Sequence, residues 1–128
     1  MSQLTENEIS YKIRGAIFKV YNNLGPGLLE SVYVAALTYE LKKEGLNAAT
    51  EIPVPVFYQE TKLDLGFRID ILVNDIVIIE VKSVENMAEV HHKQVLTYLR
   101  LANKKLGILV NFNTESIKSG IYRKVNKL

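Results

Sequence analysis

Three ionisable residues stand in apolar surroundings near the middle of the chain. Asp70 lies in Phe67-Arg68-Ile69-Asp70-Ile71-Leu72-Val73, and Glu80 and Lys82 lie in Val77-Ile78-Ile79-Glu80-Val81-Lys82. Residues two apart on a strand share a face, so Glu80 and Lys82 leave the backbone together while Val81 points the other way. Glu and Lys are seldom fully buried unless paired, because uncompensated burial of charge is costly, so a cleft, a mutual ion pair or a metal has to be considered. Asp70 sits across the intervening turn, where it can pair with Glu80 only in the right register or across an equivalent bulge. A two-residue Asn74-Asp75 loop would set Asp70 opposite Ile79 and send Glu80 to the other face. A three-residue loop, Asn74 to Ile76, would set Asp70 opposite Glu80.

In the second register two carboxylates converge beside an ammonium, a set that suits a hard divalent cation with oxygen ligands, Mg²⁺ or Mn²⁺. Such a metal lowers the pKa of a bound water and neutralises phosphate charge, while Lys82 orients the water or stabilises the transition state. The chemistry would be hydrolysis of a phosphodiester. The same spacing also fits a surface ion pair of Glu80 with Lys82, with Asp70 solvated at a strand end. So short a pattern leaves these two readings level.

Helices and strands must position these groups. Thr5 and Glu8 have the spacing of a capping box, and Ile9, Ile13, Ala16, Ile17, Val20 and Leu24 recur at helical intervals, predicting a helix over about Glu6 to Asn23. Gly25-Pro26-Gly27 ends it. A second helix is expected from about Leu28 to Lys43, with Gly45 as its stop. Three β-rich runs follow, roughly Ala48 to Tyr58, Leu63 to Val73 and Ile76 to Lys82. Pro53 and Pro55 place the first at a sheet edge. The nearly unbroken apolar character of the third predicts a central strand covered on both faces. A helix from about Glu85 to Ala102, a strand from Leu106 to Phe112 and a short strand near Ile121 to Val125 complete an ααβββαββ order. With no linker, repeat or low-complexity tract, a single α/β domain over 1–128 is expected, its helices packed on a mixed sheet.

Composition narrows the class. Apolar residues make up 48% and charged residues 23% of 128, as in a packed globular protein. The chain has no cysteine, so disulfides, thiolate zinc sites and cysteine nucleophiles are excluded. The polar start MSQLTENEIS is no signal peptide, and no apolar run approaches the ~20 residues needed to cross a bilayer. A cytoplasmic protein without membrane partners is the expectation. Sixteen basic and fourteen acidic residues leave +2, which neither demands nor forbids a nucleic-acid partner. Lys104, Lys105, Lys118, Arg123, Lys124 and Lys127 gather late in the chain, as a phosphate-binding edge or, more simply, a solvated surface.

Gly27-Leu28-Leu29-Glu30-Ser31-Val32-Tyr33 resembles the G-x-x-E-x-x-Y signature of the GxxExxY family, a branch of the PD-(D/E)XK nuclease superfamily. The resemblance extends through Arg68-Ile69-Asp70, Glu80-Val81-Lys82, Gln94-Val95-Leu96-Thr97-Tyr98-Leu99 and Gly107-Ile108-Leu109-Val110-Asn111-Phe112. Ile69 stands where the superfamily name has proline. The resemblance implies a restriction-endonuclease-like fold and a divalent-metal-dependent nuclease acting on DNA or RNA. It implies Asp70 and Glu80 as metal-binding acids with the Val81 carbonyl as a further ligand, Lys82 as the catalytic lysine, and Glu30 as an acid reaching the metal or its water. Gln94 and Tyr98 match a Q-x-x-x-Y element that would position Lys82 or substrate, and a four-residue step puts both on one helix face. The alternative is a non-catalytic nucleic-acid-binding or protein-interaction module on the same scaffold.

Several of these residues also have simpler readings. Glu30 in a first helical turn is favoured by the helix dipole at ~0.3–1 kcal/mol without any catalytic duty. Tyr33 reads more naturally as a core or rim aromatic than as a catalytic hydroxyl. His91 and His92 diverge by about 100° on a helix, which prevents them from clamping one ion and favours a structural or substrate-edge role for His91. Asn111, ending an apolar strand, reads as a turn residue. The apolar face of helix one exceeds what the sheet requires, which would suit a homodimer.

Overall fold

A computed structural model describes residues 3–128. Helix α1 (Glu6–Leu24) opens on the expected capping box, with the Thr5 hydroxyl accepting from Glu8 N–H and the Glu8 carboxylate accepting from Thr5 N–H at 2.8 Å. Gly25 and Gly27, with φ of 69° and 97°, turn the chain into α2 (Glu30–Lys43). A meander of β1 (Ala48–Tyr58), β2 (Thr61–Val73) and β3 (Val77–Lys82) follows. Helix α3 (Glu89–Ala102) then crosses to β4 (Leu106–Asn111), and a 3₁₀ turn at Ile117–Gly120 leads into β5 (Ile121–Val125). Strand order is β1-β2-β3-β4-β5, antiparallel except for the parallel β3–β4 pair that α3 connects. The ααβββαββ order agrees with the sequence pattern.

The central strand is covered on both sides, as its apolar run predicts. Val77, Ile79 and Val81 pack under α1 and α2 with Ile13, Ile17 and Leu37, while Ile78 faces α3 with Leu72, Val95, Leu99 and Leu109. Close approach of α3 to β4 requires Gly107, where an added Cβ would lie 2.9 Å from Val95 Cγ1. Along α1, Ile9, Ile13, Ala16, Ile17 and Val20 are all buried in the core, while Tyr11 and Leu24 stay exposed. Most of the apolar face that suggested a homodimer is thus taken up within the chain.

Several boundaries differ from the sequence pattern: α2 begins at Glu30 rather than Leu28, β2 at Thr61 rather than Leu63 and β3 at Val77 rather than Ile76. Helix α3 begins at Glu89 rather than near Glu85, because Ser83 to Ala88 form a loop tied down by side chains elsewhere. Strand β4 stops at Asn111, one residue before Phe112.

The β1–β2 ribbon extends far beyond the rest of the sheet. It pairs from Ala48↔Val73 to Tyr58↔Thr61, whereas β2 and β3 pair only from Val73↔Val77 to Ile71↔Ile79. Strand β1 is an edge, as Pro53 and Pro55 predict. Its ladder with β2 skips the position between Thr50↔Ile71 and Ile52↔Ile69, where Glu51 adopts a left-handed φ of 51°, uncommon for a residue other than glycine. Across this break the buried face changes: Ile71 packs with the α1–α2 side and Ile69 with the α3 side. Asp70 lies at the switch. Among the described residues no helix is long and apolar enough to cross a membrane.

Candidate active site

The β2–β3 loop contains three residues, Asn74, Asp75 and Ile76, enclosed by Val73↔Val77. This is the register that sets Asp70 opposite Glu80. Regular pairing ends one step earlier, at Ile71↔Ile79, and the carboxylates themselves complete the next connection. Asp70 N–H donates to Glu80 Oε1 at 3.2 Å, and Val81 N–H donates to Asp70 Oδ2 at 2.9 Å. The strands part, and each acid caps a backbone donor that the open ladder would otherwise leave without a partner.

Glu80 is only 4% exposed. Burial, and after it the negative charge of Asp70, pushes its pKa up to about 8, so without a cation Glu80 holds its proton at neutral pH. The Lys82 charge acts in the opposite direction, which places the ammonium near enough to be felt. Lys82 is half-buried, and among the described residues it forms no salt bridge. The surface ion pair offered as the simple reading of Glu80 and Lys82 is not formed.

Gln94 and Tyr98 occupy one face of α3, with the Gln94 side chain near enough to the Tyr98 hydroxyl to act on its pKa in the lowering direction. Burial first, then the charges of Glu80 and Asp70, raises the Tyr98 pKa, so the phenol lies within reach of the field of both acids. Its ring stacks on Phe67 of β2, centroids 4.0 Å apart and planes 6° apart. Glu30 arrives from the opposite side, at the first position of α2, with Oε2 accepting from Ser83 N–H at 3.2 Å. A cleft of about 480 Å³ between α2 and the ribbon is lined by Glu30, Ser31, Val34, Ala35, Thr38, Thr50, Glu51 and Asp70. A larger cavity, about 800 Å³, runs along the outer side of α1 and contains none of the five residues Glu30, Asp70, Glu80, Lys82 and Tyr98.

Asp70 and Glu80 have the donor chemistry for a hard divalent cation. Two carboxylates in contact, one buried enough to stay protonated, gain from a positive charge placed between them. Among the described residues no three His, Cys, Asp or Glu side chains group into a metal-binding set. A cation here would rest on these two carboxylates, backbone oxygen and water, the way Mg²⁺ is commonly held.

The histidines have structural partners. His91 Nδ1 accepts from Ala88 N–H at 3.1 Å at the start of α3, and His92 meets the Tyr122 ring edge-on at 4.7 Å. The late basic residues do not form one edge. Lys104 bonds the Asp75 carbonyl, Arg123 bonds Asn7, and Lys124 lies over Tyr122. Arg123 and Lys124, being adjacent on β5, point to opposite faces of the sheet.

Tyr33 is the core aromatic and Asn111 the turn residue that the sequence suggested, but both, and Ser83 with them, make further contacts that local sequence reading did not give. Tyr33 is fully buried, stacks on Phe112 at 4.3 Å, donates to Gly25 O at 2.6 Å and accepts from Leu28 N–H. Ser83 Oγ donates to Leu28 O at 2.6 Å. Asn111 is buried, with Oδ1 accepting from Val84 and Asn113 N–H and Nδ2 donating to Val84 O. The fixed steps from Gly27 to Glu30 to Tyr33 were the available signal for the first; the other two act on partners far away in sequence.

The family model of the PD-(D/E)XK nuclease superfamily matches residues 7–124. Solved structures that match include the crystal structure of SSO0001, with a TM-score of 0.57 and 25% identity over 77% of this chain and 51% of that one. The chain thus spans about half the length of that protein. Among curated proteins, none matches. The five-stranded mixed sheet with its helices is consistent with a restriction-endonuclease-like fold.

Proposed function

Because this chain belongs to the PD-(D/E)XK nuclease superfamily, we propose that it hydrolyses phosphodiester bonds of DNA or RNA with a divalent cation, Mg²⁺ or Mn²⁺, held by Asp70, Glu80 and the Val81 carbonyl. The observation that carries this reading is the meeting of Asp70 and Glu80 where the β2–β3 ladder opens, with the Lys82 charge alongside. The cation, when bound, activates water and offsets phosphate charge. Lys82 supplies a fixed positive charge on the same face as Glu80, suited to orienting the attacking water or the negative charge that develops on the phosphate. Gln94 and Tyr98 hold the α3 side of the site, and Glu30 adds a third acid from α2. The Gly27-x-x-Glu30-x-x-Tyr33 run supports placement in the GxxExxY branch, with the chain acting as one nuclease-like domain.

The test is cleavage of single- and double-stranded DNA and RNA by the whole chain with Mg²⁺ or Mn²⁺, beside Lys82→Ala. Metal-dependent cleavage that the variant loses is the expected result. Folded proteins that bind nucleic acid in a salt-sensitive, metal-independent way and cleave none of these substrates would overturn it in favour of a binding module.

A further inference from the structure

We propose that Ser83 is a positioning residue for Glu30: it clasps the first turn of α2 to the end of β3 and so presents Glu30 to the cleft shared with Asp70. This rests on the nuclease reading of the site.

Helix α2 has no side-chain cap of its own; its N-cap position is Leu29, and the chain enters through two left-handed glycines. No capping side chain therefore fixes where Glu30 points, and a glutamate at an uncapped helix start has several rotamers open to it. Ser83 provides two anchors at once. Its hydroxyl donates to Leu28 O at 2.6 Å, two residues before Glu30, and its backbone N–H donates to Glu30 Oε2 at 3.2 Å. Ser83 directly follows Lys82, so the clasp ties Glu30 to the residue proposed to assist the chemistry.

A second path joins the same two points. Tyr33 Oη accepts from Leu28 N–H and donates to Gly25 O, its ring stacks on Phe112, and Phe112 N–H donates to Lys82 O at 2.9 Å. Leu28 is thus held on its carbonyl by Ser83 and on its N–H by Tyr33. The three-residue steps of Gly27, Glu30 and Tyr33 acquire a physical sense: a turn, the acid that the turn delivers, and the hydroxyl that braces the turn.

The readout is Mn²⁺ affinity of the intact chain, measured by titration for the parent, Ser83→Ala, Ser83→Thr, Glu30→Gln, the Ser83→Ala/Glu30→Gln double variant and Asp70→Asn, with thermal midpoints recorded beside it. Ser83→Ala and Glu30→Gln are each expected to weaken Mn²⁺ binding about tenfold, the scale of outer-shell partners of metal sites. Ser83→Thr, which keeps the hydroxyl, restores it, and the double variant binds no more weakly than Glu30→Gln alone. A thermal midpoint near that of the parent accompanies each change. Parent-like affinity in Ser83→Ala, or a full second loss in the double variant, overturns the proposal while a weakened Asp70→Asn leaves the metal site standing. Parent-like affinity in Asp70→Asn overturns the metal site and this inference with it.

Discussion

Asp70 and Glu80 face each other one step beyond the last regular pair of β2 and β3, each carboxylate bonded to a backbone N–H that the parted strands have released. The arrangement is held by hydrogen bonds yet strained by charge. Its consequences can be measured without any knowledge of the substrate.

The first concerns pH. In the unfolded chain Glu80 titrates near the ordinary glutamate value, but in the metal-free fold its pKa is raised to about 8, chiefly by burial. Between these values the native state binds more protons than the unfolded one, so the Glu80 contribution to stability is complete below the unfolded pKa and declines as pH rises through about 8. Urea denaturation in a chelator should therefore give lower stability at pH 8 than at pH 5.5 from this group. Glu80→Gln, neutral throughout, should reduce that decline and be more stable than the parent at pH 8 by about 1–3 kcal/mol. A pH slope unchanged by the substitution would contradict the burial-driven shift.

The second separates charge from geometry. Asp70→Asn keeps an oxygen able to accept from Val81 N–H while removing the negative charge that faces Glu80. The fold should survive with a thermal midpoint within a few degrees of the parent. Mn²⁺ should then no longer stabilise the protein as it does the parent, by about 2.7 kcal/mol at a hundredfold excess over its Kd. Equal stabilisation of parent and variant would remove Asp70 from the ligand set.

Much of the scaffold was legible because its signals are local. The Thr5–Glu8 spacing marks the start of α1, the glycines mark helix ends, and an apolar run marks β3 as central. The site was legible only as a choice between two loop lengths. Asn74 and Asp75 both adopt left-handed φ, as a two-residue turn would require, yet the ladder closes on Val73↔Val77 and takes Ile76 into the loop. Glu51 could not have been foreseen: its left-handed φ belongs to a ribbon that changes buried face opposite Asp70, a property of two strands jointly. The long-range contacts of Ser83 and Asn111 were missed for a related reason. Ser83 acts on Leu28, and Asn111, besides the turn bond to Asn113 that its position suggested, acts on Val84; the local settings of both residues say nothing of those distant partners.

The third prediction tests the loop after Lys82. Asn111 supplies three hydrogen bonds to backbone groups of Val84 and Asn113 from a buried position at the end of β4. Asn111→Ala leaves those groups without this partner and should cost about 1–3 kcal/mol, the range for polar groups left unpaired. Hydrogen exchange should accelerate at Val84 and Asn113 before it does so in α1. Unchanged protection there would show that the loop is held by something else.

The fourth examines how α3, which carries Gln94 and Tyr98, is set against the sheet. Gly107 on β4 leaves room for Val95 and Leu99, and a methyl group at Gly107 would lie 2.9 Å from Val95 Cγ1 and 3.3 Å from Leu99 Cδ2. Both neighbours are buried, so neither can swing into solvent. Overpacking of this kind typically costs about 1–3 kcal/mol, and that is the expected loss in Gly107→Ala. Shortening the obstructing side chain should compensate: Val95→Ala alone leaves a small cavity and destabilises, but combined with Gly107→Ala it should cost less than the sum of the single changes. Strict additivity of the two substitutions in denaturant unfolding would mean that α3 shifts as a body to admit the methyl group. In that event Tyr98 moves with it, and the Tyr98–Phe67 stack at 4.0 Å, next to Asp70 and Glu80, should loosen in the single Gly107→Ala variant.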